Sequence, residues 1–349
     1  MIERQKVVQS IINMFRVNLN LAKGEKILIL SDAPTSSEWS QLDLDFLLGM
    51  VRRVCLAKVA GEIAKEIFTD NEVEVYVYPS LGRSGRELPD DVAAKMHKSD
   101  VVVGITTFSL THTAATKRAT EIGARVVSMP SVEPEMFYPG GAIDADYRAI
   151  ALDTLKMVNY LEKASFVKIV SEDGTNLSFD IAGRKCWAET GILTKDSPMK
   201  VCNLPAGEAS VAPTEGSAEG IIVAKAGWYP KLDSDMKLIV NKGLVDEVQG
   251  GGAVGDYLRD LLKPNEQQEP YTSRRNIAEF GIGTNPNAKR ADNVLEAEKI
   301  KGTIHIGIGS NFFLGGKVKT DFHSDIVVPK PDVFFDEQVV IEKGVWKIL

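Results

Sequence analysis

The stretch SDVVVGITTFSLTHTAATKRATEIGARVVSMPSV, residues 99–132, decides the fold of the first half of the chain. Its opening run, DVVVGIT, is apolar on both faces and short, as a strand buried on both sides should be. THTAATKRATEIGA then reads as a helix, and RVVSMPSV as a second strand. Two strands separated by a helix of ten or more residues make a parallel βαβ unit, because parallel neighbours need a crossover of that length. Working outward toward the N-terminus, QKVVQSIINMFRVNL repeats apolar residues at helical spacing, and GEKILILSD is another buried-strand run. MVRRVCLAKVAGEIAKEIF is the next helix and EVEVYVYPS the next strand. The expectation is an open, Rossmann-like parallel sheet. Such sheets bind ligands at the carboxyl ends of their strands, which makes His112, in the loop after DVVVGIT, a candidate functional residue. No G-x-G-x-x-G follows the first strand, where SDAPTSSEWS stands instead, so a dinucleotide site is not expected.

RAIALDTLKMVNYLEKA reads as a connecting helix, and beyond it the texture changes. SFVKIVSEDGTNLSFDIAGRK begins a run of short alternating strands punctuated by Gly, Asn and Asp. GIIVAKAGWYP and KLIVNKGLVDEVQG read as hairpins, with one helical insertion, GAVGDYLRDLLK. The fold class expected is α/β: a parallel-sheet N-terminal domain over residues 1–162 and a β-rich α+β metal-binding domain over residues 163–349.

Bulk properties narrow the function. A 349-residue chain that is 44% hydrophobic can build a large core, and a net charge of −7 with no basic run argues against nucleic acid as a partner. Three cysteines, Cys55, Cys186 and Cys202, without a CxxC spacing, suit neither a disulfide framework nor a zinc ribbon. The N-terminal stretch lacks the apolar block of a signal peptide, and no run is long enough to span a membrane. A cytoplasmic protein is expected.

The candidate chemistry lies in the second half. Only 4 histidines occur in the chain, and two of them, His305 and His323, fall within GTIHIGIGSNFFLGGKVKTDFHSDIVV. His323 and Asp325 alternate on one strand, so their side chains share a face. Glu208 in LPAGEASVAPTEGSAEG and Glu279 in NIAEFGIGTNP sit among apolar residues and glycines. A carboxylate buried in such a run needs a cation, and mixed carboxylate and imidazole ligands suit Zn²⁺, Mn²⁺, Co²⁺ or Fe²⁺ rather than Ca²⁺. Each residue also has a plainer reading. His305 fits a hydrogen-bonded core histidine, Glu208 an exposed hairpin carboxylate, and Glu215 and Glu219 solvated turn residues, with Glu215 open to a supporting role near the metal. His112 fits a water-exposed residue at a helix start that Thr111 or Thr113 caps.

The ordered series GE…P…G, AEFGIGTNP, GTIHIGIGSN…GG and HSD resembles the aminopeptidase T family of metallopeptidases, also called leucyl aminopeptidases. SLTHTAATKRATEIGARVVSMP carries the resemblance into the first half. It implies two divalent metals (Zn²⁺, Co²⁺ or Mn²⁺) held by Glu208, Glu279, His305, His323 and Asp325, in a homodimer. The implied reaction is metal-assisted hydrolysis, releasing N-terminal residues from short peptides or related amides, with Glu279 shuttling the proton to the leaving amine. Two features depart from that family. Phe312 stands seven residues after the motif histidine, where the peptidases carry a tyrosine credited with stabilising the oxyanion. Losing such a donor typically costs about 10²–10³ in rate. The segment between the two motif histidines is also shorter here.

The sequence is similar as well to the 2,5-dihydroxypyridine 5,6-dioxygenases, through GGKVKTDFHSD and through SAEG at Ser217–Gly220. That resemblance implies a single Fe²⁺ held by two histidines and a carboxylate, a site that falls here on His323, Asp325 and His305 or Glu279. The dioxygenases carry a histidine ligand at the position of Glu279, and their acid/base histidine falls on His112. A metal-free binding protein on the same fold is a third expectation, with Phe312 its only direct support.

Overall fold

The computed structural model describes residues 2–348 and has the expected α/β character. The chain divides into two compact units. One runs up to Arg148 and takes in Gly191–Ala206; the other comprises Ala149–Thr190 and everything from Gly207 onward. A single cut at residue 162 therefore falls just past the end of the Tyr147–Leu161 helix, inside the second unit. Among the described residues no helix is long and apolar enough to cross a membrane.

The first unit is a five-stranded sheet. Its strand order is Glu72–Pro79, Lys26–Ala33, Val101–Thr106, Arg125–Pro130, Val201–Asn203, and every pairing is parallel. The fifth strand escapes a reading by periodicity, because three residues, VCN, are too few to show a pattern. The Leu44–Ile67 helix covers the sheet with Leu47, Met50, Ala57, Ala60 and Ala64, spaced three to four apart with one longer step, and Asp43 caps it by accepting the Phe46 N–H at 2.8 Å. The chain turns from one side of the Lys26–Ala33 strand to the other, which creates a topological switch point. There the buried Asp32 carboxylate accepts the Thr107 N–H at 2.6 Å and fixes the start of the loop after Val101–Thr106. In that loop Thr111 donates to Asn203 at 3.0 Å, and Thr113 caps the Ala114–Glu121 helix. His112 lies exposed between these two anchored threonines. The helix is shorter than the sequence pattern suggests, because residues 111–113 are spent on its cap.

The second unit stacks two antiparallel sheets. The larger has eight strands, in the order Leu244–Gly250, Met236–Asn241, Glu219–Ala224, Asn176–Asp180, Phe166–Val170, Asp332–Phe335, Gln338–Glu342, Val345–Trp346. The smaller has five: His323–Val328, Ile304–Gly309, Ile277–Gly283, Glu208–Val211, Cys186–Glu189. KLIVNKGLVDEVQG forms the expected hairpin and GAVGDYLRDLLK the expected helix, Gly252–Leu262. GIIVAKAGWYP supplies only one strand, which pairs with Asn176–Asp180 and Met236–Asn241 instead of folding back on itself.

Alternation decides what the smaller sheet buries. Phe280, Ile282, Ile304, Ile306, Ile308, Ile326 and Val328 point into a core shared with Phe179, Leu238 and Phe335 of the larger sheet. Phe280 lies 5.4 Å from Phe179 and 6.4 Å from Phe335, ring to ring, and so joins the two sheets face to face. The intervening residues, His305, Gly307, Glu279, Gly281 and Asp325, necessarily share the opposite face.

Candidate metal centre

On that opposite face, each of the five acidic or imidazole residues singled out from the sequence has a glycine across the ladder. Glu208 pairs with Gly283, His305 with Gly281, Glu279 and Asp325 with Gly307, and His323 with Gly309. The glycines make room. A Cβ on Gly281 would lie 2.1 Å from the His305 ring, and one on Gly307 would meet Glu279 Cβ at 2.7 Å and His323 Cε1 at 2.8 Å. The AEFGIG and IHIGIG runs thus encode two things at once: an apolar face for the core and a ligand-and-glycine face that lets large side chains converge.

They do converge. His305 Nε2 is 3.5 Å from Glu208 Oε1 and 3.9 Å from Glu279 Oε1, while His323 Nε2 is 3.2 Å from Glu279 Oε2 and 3.3 Å from Asp325 Oδ1. Glu208, Glu279 and His305 form one triad with ligand atoms within 4.8 Å of one another. Glu279, His323 and Asp325 form a second, which shares Glu279 with the first, and Glu298, His305 and Asp325 form a third. Glu208 is buried, so the exposed-hairpin reading of it does not hold.

The side chains fit a metal ion by two observations. His323 Nδ1 lies 2.9 Å from the Ser310 carbonyl, and donating there leaves Nε2 free to act as a ligand. Asp325 Oδ1 and His305 Nδ1 are buried with no well-directed hydrogen-bond partner among the described residues. The field is strongly negative. Burial works to lower both histidine pKa values, but Glu208 overrides it at His305 and Asp325 at His323, holding both rings well above their usual range. Burial likewise works to raise Glu208 and Asp325, and the neighbouring cations hold both carboxylates down. A divalent ion would answer the same field.

Sequence reading missed three residues here. Lys299 is buried and bonds Glu208, with Glu189 at 2.9 Å and Glu298 at 3.1 Å. Burial pushes Glu298 up to about 8. Glu298 and Lys299 stand in EAEKIKG, which looks like a solvated turn. Their one visible signal is the GTIHIGIG strand that follows directly.

The loop beyond His305 is held from outside the centre. Glu215 pairs with Arg184, accepts Asn311 Nδ2 at 2.9 Å and accepts the Lys317 N–H at 2.7 Å. Burial opposes the ionised form, yet the Lys317 and Asn311 hydrogen bonds and Arg184 hold the Glu215 pKa down to about 2. Ser217 likewise closes a turn, accepting from Asp180 N and donating to Thr214 O, while Glu219 lies exposed. Phe312 points largely to solvent, and its neighbour Phe313 sets its ring edge-to-face on His323 at 5.0 Å.

The profile of the 2,5-dihydroxypyridine 5,6-dioxygenase family matches residues 10–347. The chain belongs to that family. The 2,5-dihydroxypyridine 5,6-dioxygenase of Pseudomonas putida KT2440 is 26% identical over 266 residues, 71% of each protein. A solved structure of the 2,5-dihydroxypyridine dioxygenase from the same organism superposes with a TM-score of 0.70 at 18% identity, covering 99% of this chain and 98% of the other. AmpT from Thermus thermophilus superposes with a TM-score of 0.64 at 15% identity, covering 99% of each. Of the two resemblances legible in the sequence, family membership thus favours the dioxygenase, and the likeness to AmpT shows the shared fold alone.

Two outcomes follow. Gly307→Ala, whose Cβ would meet Glu279 Cβ at 2.7 Å, should displace the ligand side chains and weaken Co²⁺ binding by about 10–100-fold, with circular dichroism as the check that the chain still folds. Unchanged affinity by calorimetric titration would count against the ligand geometry. The Glu215 pKa is depressed on folding, so its stabilisation is complete above about 4.5 and is lost as pH falls toward about 2. Chemical denaturation between pH 2 and 7 should show a shallower acid decline for Glu215→Gln than for the native chain. Parallel curves would remove this contribution.

Proposed function

We propose that this chain is a mononuclear, metal-dependent, ring-cleaving dioxygenase acting on a small dihydroxylated heteroaromatic compound. The observation that carries the reading is the Glu279–His323–Asp325 triad in a chain whose family match runs over residues 10–347. Those three side chains would hold Fe²⁺, and bound there the ion would supply the one-electron chemistry that O₂ requires. The triad has one histidine and two carboxylates, so Mn²⁺ is a second ion suited to it.

The remaining work falls to the chain's own groups. The Ser310 carbonyl orients His323 through Nδ1. Phe313, edge-to-face with His323, offers an aromatic surface beside the centre that suits an aromatic ring. On the resemblance alone, His112 is the residue proposed for proton transfer with the substrate hydroxyl. A homodimer belongs to the proposal and is checked by light scattering, with twice the chain mass expected.

A two-metal aminopeptidase-like hydrolase, with Zn²⁺, Co²⁺ or Mn²⁺ and a short peptide as substrate, is the second reading. What favours it is the Glu208–Glu279–His305 triad, which shares Glu279 with the first.

Protein loaded anaerobically with Fe²⁺ is mixed with oxygen and a panel of 2,5-dihydroxypyridine and related rings. The expected result is uptake of one O₂ per ring consumed. His112→Ala should lower kcat by about 10²-fold or more without changing iron content. No uptake across the panel, together with release of amino acids from di- and tripeptides, would transfer the assignment to the hydrolase.

A further inference from the structure

We propose that Lys299 is a built-in cation that keeps this metal centre mononuclear, by occupying the carboxylates a second ion would need. The ammonium has three donors and meets three carboxylates: Glu208, Glu189 at 2.9 Å and Glu298 at 3.1 Å. Two of these also belong to ligand triads through His305: Glu208 with Glu279, and Glu298 with Asp325. None of the three is in the Glu279–His323–Asp325 triad. A second divalent ion bound through Glu208 or Glu298 would therefore share that carboxylate with a fixed positive charge, while an ion held by Glu279, His323 and Asp325 would not.

The position of Lys299 is built into the backbone. Asn285 donates its N–H to the Lys299 carbonyl at 2.9 Å, and the Lys301 N–H returns to the Asn285 carbonyl at 3.0 Å. The segment lies so close to the sheet that a Cβ on Gly283 would be 2.1 Å from the Ile300 carbonyl oxygen. Gly283 is the ladder partner of Glu208, so the glycine that clears the face also admits the backbone that delivers the lysine beside that glutamate. The side chain is buried and cannot exchange its three partners for water.

The inference deepens the proposed function, since it rests on the reading of this cluster as a metal centre, but its test reads stoichiometry and not turnover. Metal-stripped, full-length protein is titrated with Co²⁺ by calorimetry and visible absorption, without oxygen. The native chain should bind one equivalent tightly and a second at least about 10–100-fold more weakly. His323→Ala should lose the tight equivalent and His305→Ala should keep it. Lys299→Met, similar in length but uncharged, should bring the second equivalent to comparable affinity, while Lys299→Arg should not. Two equally tight equivalents in the native chain overturn the proposal, and that result does not depend on any variant folding. A Lys299→Met protein that still binds one equivalent overturns it too. One tight ion without oxygen uptake leaves Lys299 in its role and removes only the ring-cleavage assignment. No tight ion removes both.

Discussion

Buried carboxylates in and beside the smaller sheet of the second unit impose the constraint on which the rest of the site depends. Glu208, Glu279 and Glu298 are all largely out of water, and a carboxylate in that setting is tolerated only beside a cation or as the neutral acid. The structure answers at each position. Lys299 covers Glu208 and Glu298, burial together with the Asp325 and Glu208 carboxylates moves Glu298 toward neutrality, and Glu279 is left facing two imidazoles. Two of the ligand triads share Glu279.

The scaffold brings this about with little sequence. In a strand, one residue in two faces the core, so a run such as IHIGIG spends its isoleucines on the sandwich interior and its other positions on the site. Because neighbouring strands are in register, a glycine on one strand is the space into which the next strand's ligand leans. The same sheet therefore combines rigid backing, from the Phe179–Phe280–Phe335 stack, with the converging carboxylates and imidazoles on its other face. The loop of residues 310–318 is held by Glu215 and Asn311, so the Phe313 that touches His323 is positioned from outside the centre.

Family membership and ligand chemistry agree on a metal enzyme and diverge on its detail. The match over residues 10–347 speaks for ring cleavage, whereas a glutamate at position 279 and a second overlapping triad preserve features of a two-metal hydrolase. Charge is the physical quantity that separates the two. Each additional carboxylate raises the demand for positive charge, and Lys299 meets part of it without a metal. Whether a fold of this kind runs one-ion or two-ion chemistry can thus turn on a side chain that is not itself a ligand.

The sequence by itself determined the parallel α/β character of the first half, the change to alternating strands near residue 162, and the five ligand candidates. Those features rest on local periodicity, and Glu208, Glu279, His305, His323 and Asp325 stood out because charged or imidazole groups interrupt apolar, glycine-rich runs. Other features depend on distances along the chain that periodicity does not carry. The three-residue strand Val201–Asn203 returns to the first sheet only because its partner Arg125–Pro130 offers an open edge. Lys299 sits in a segment whose pattern reads as a solvated turn, and its burial follows from a close backbone approach to Gly283. Phe312 aligns with the position of interest by count, yet the helical turn at Phe312–Leu314 directs the neighbouring Phe313 onto the metal ligand. Those outcomes belonged to tertiary structure, because register between strands distant in sequence decides which side chains meet.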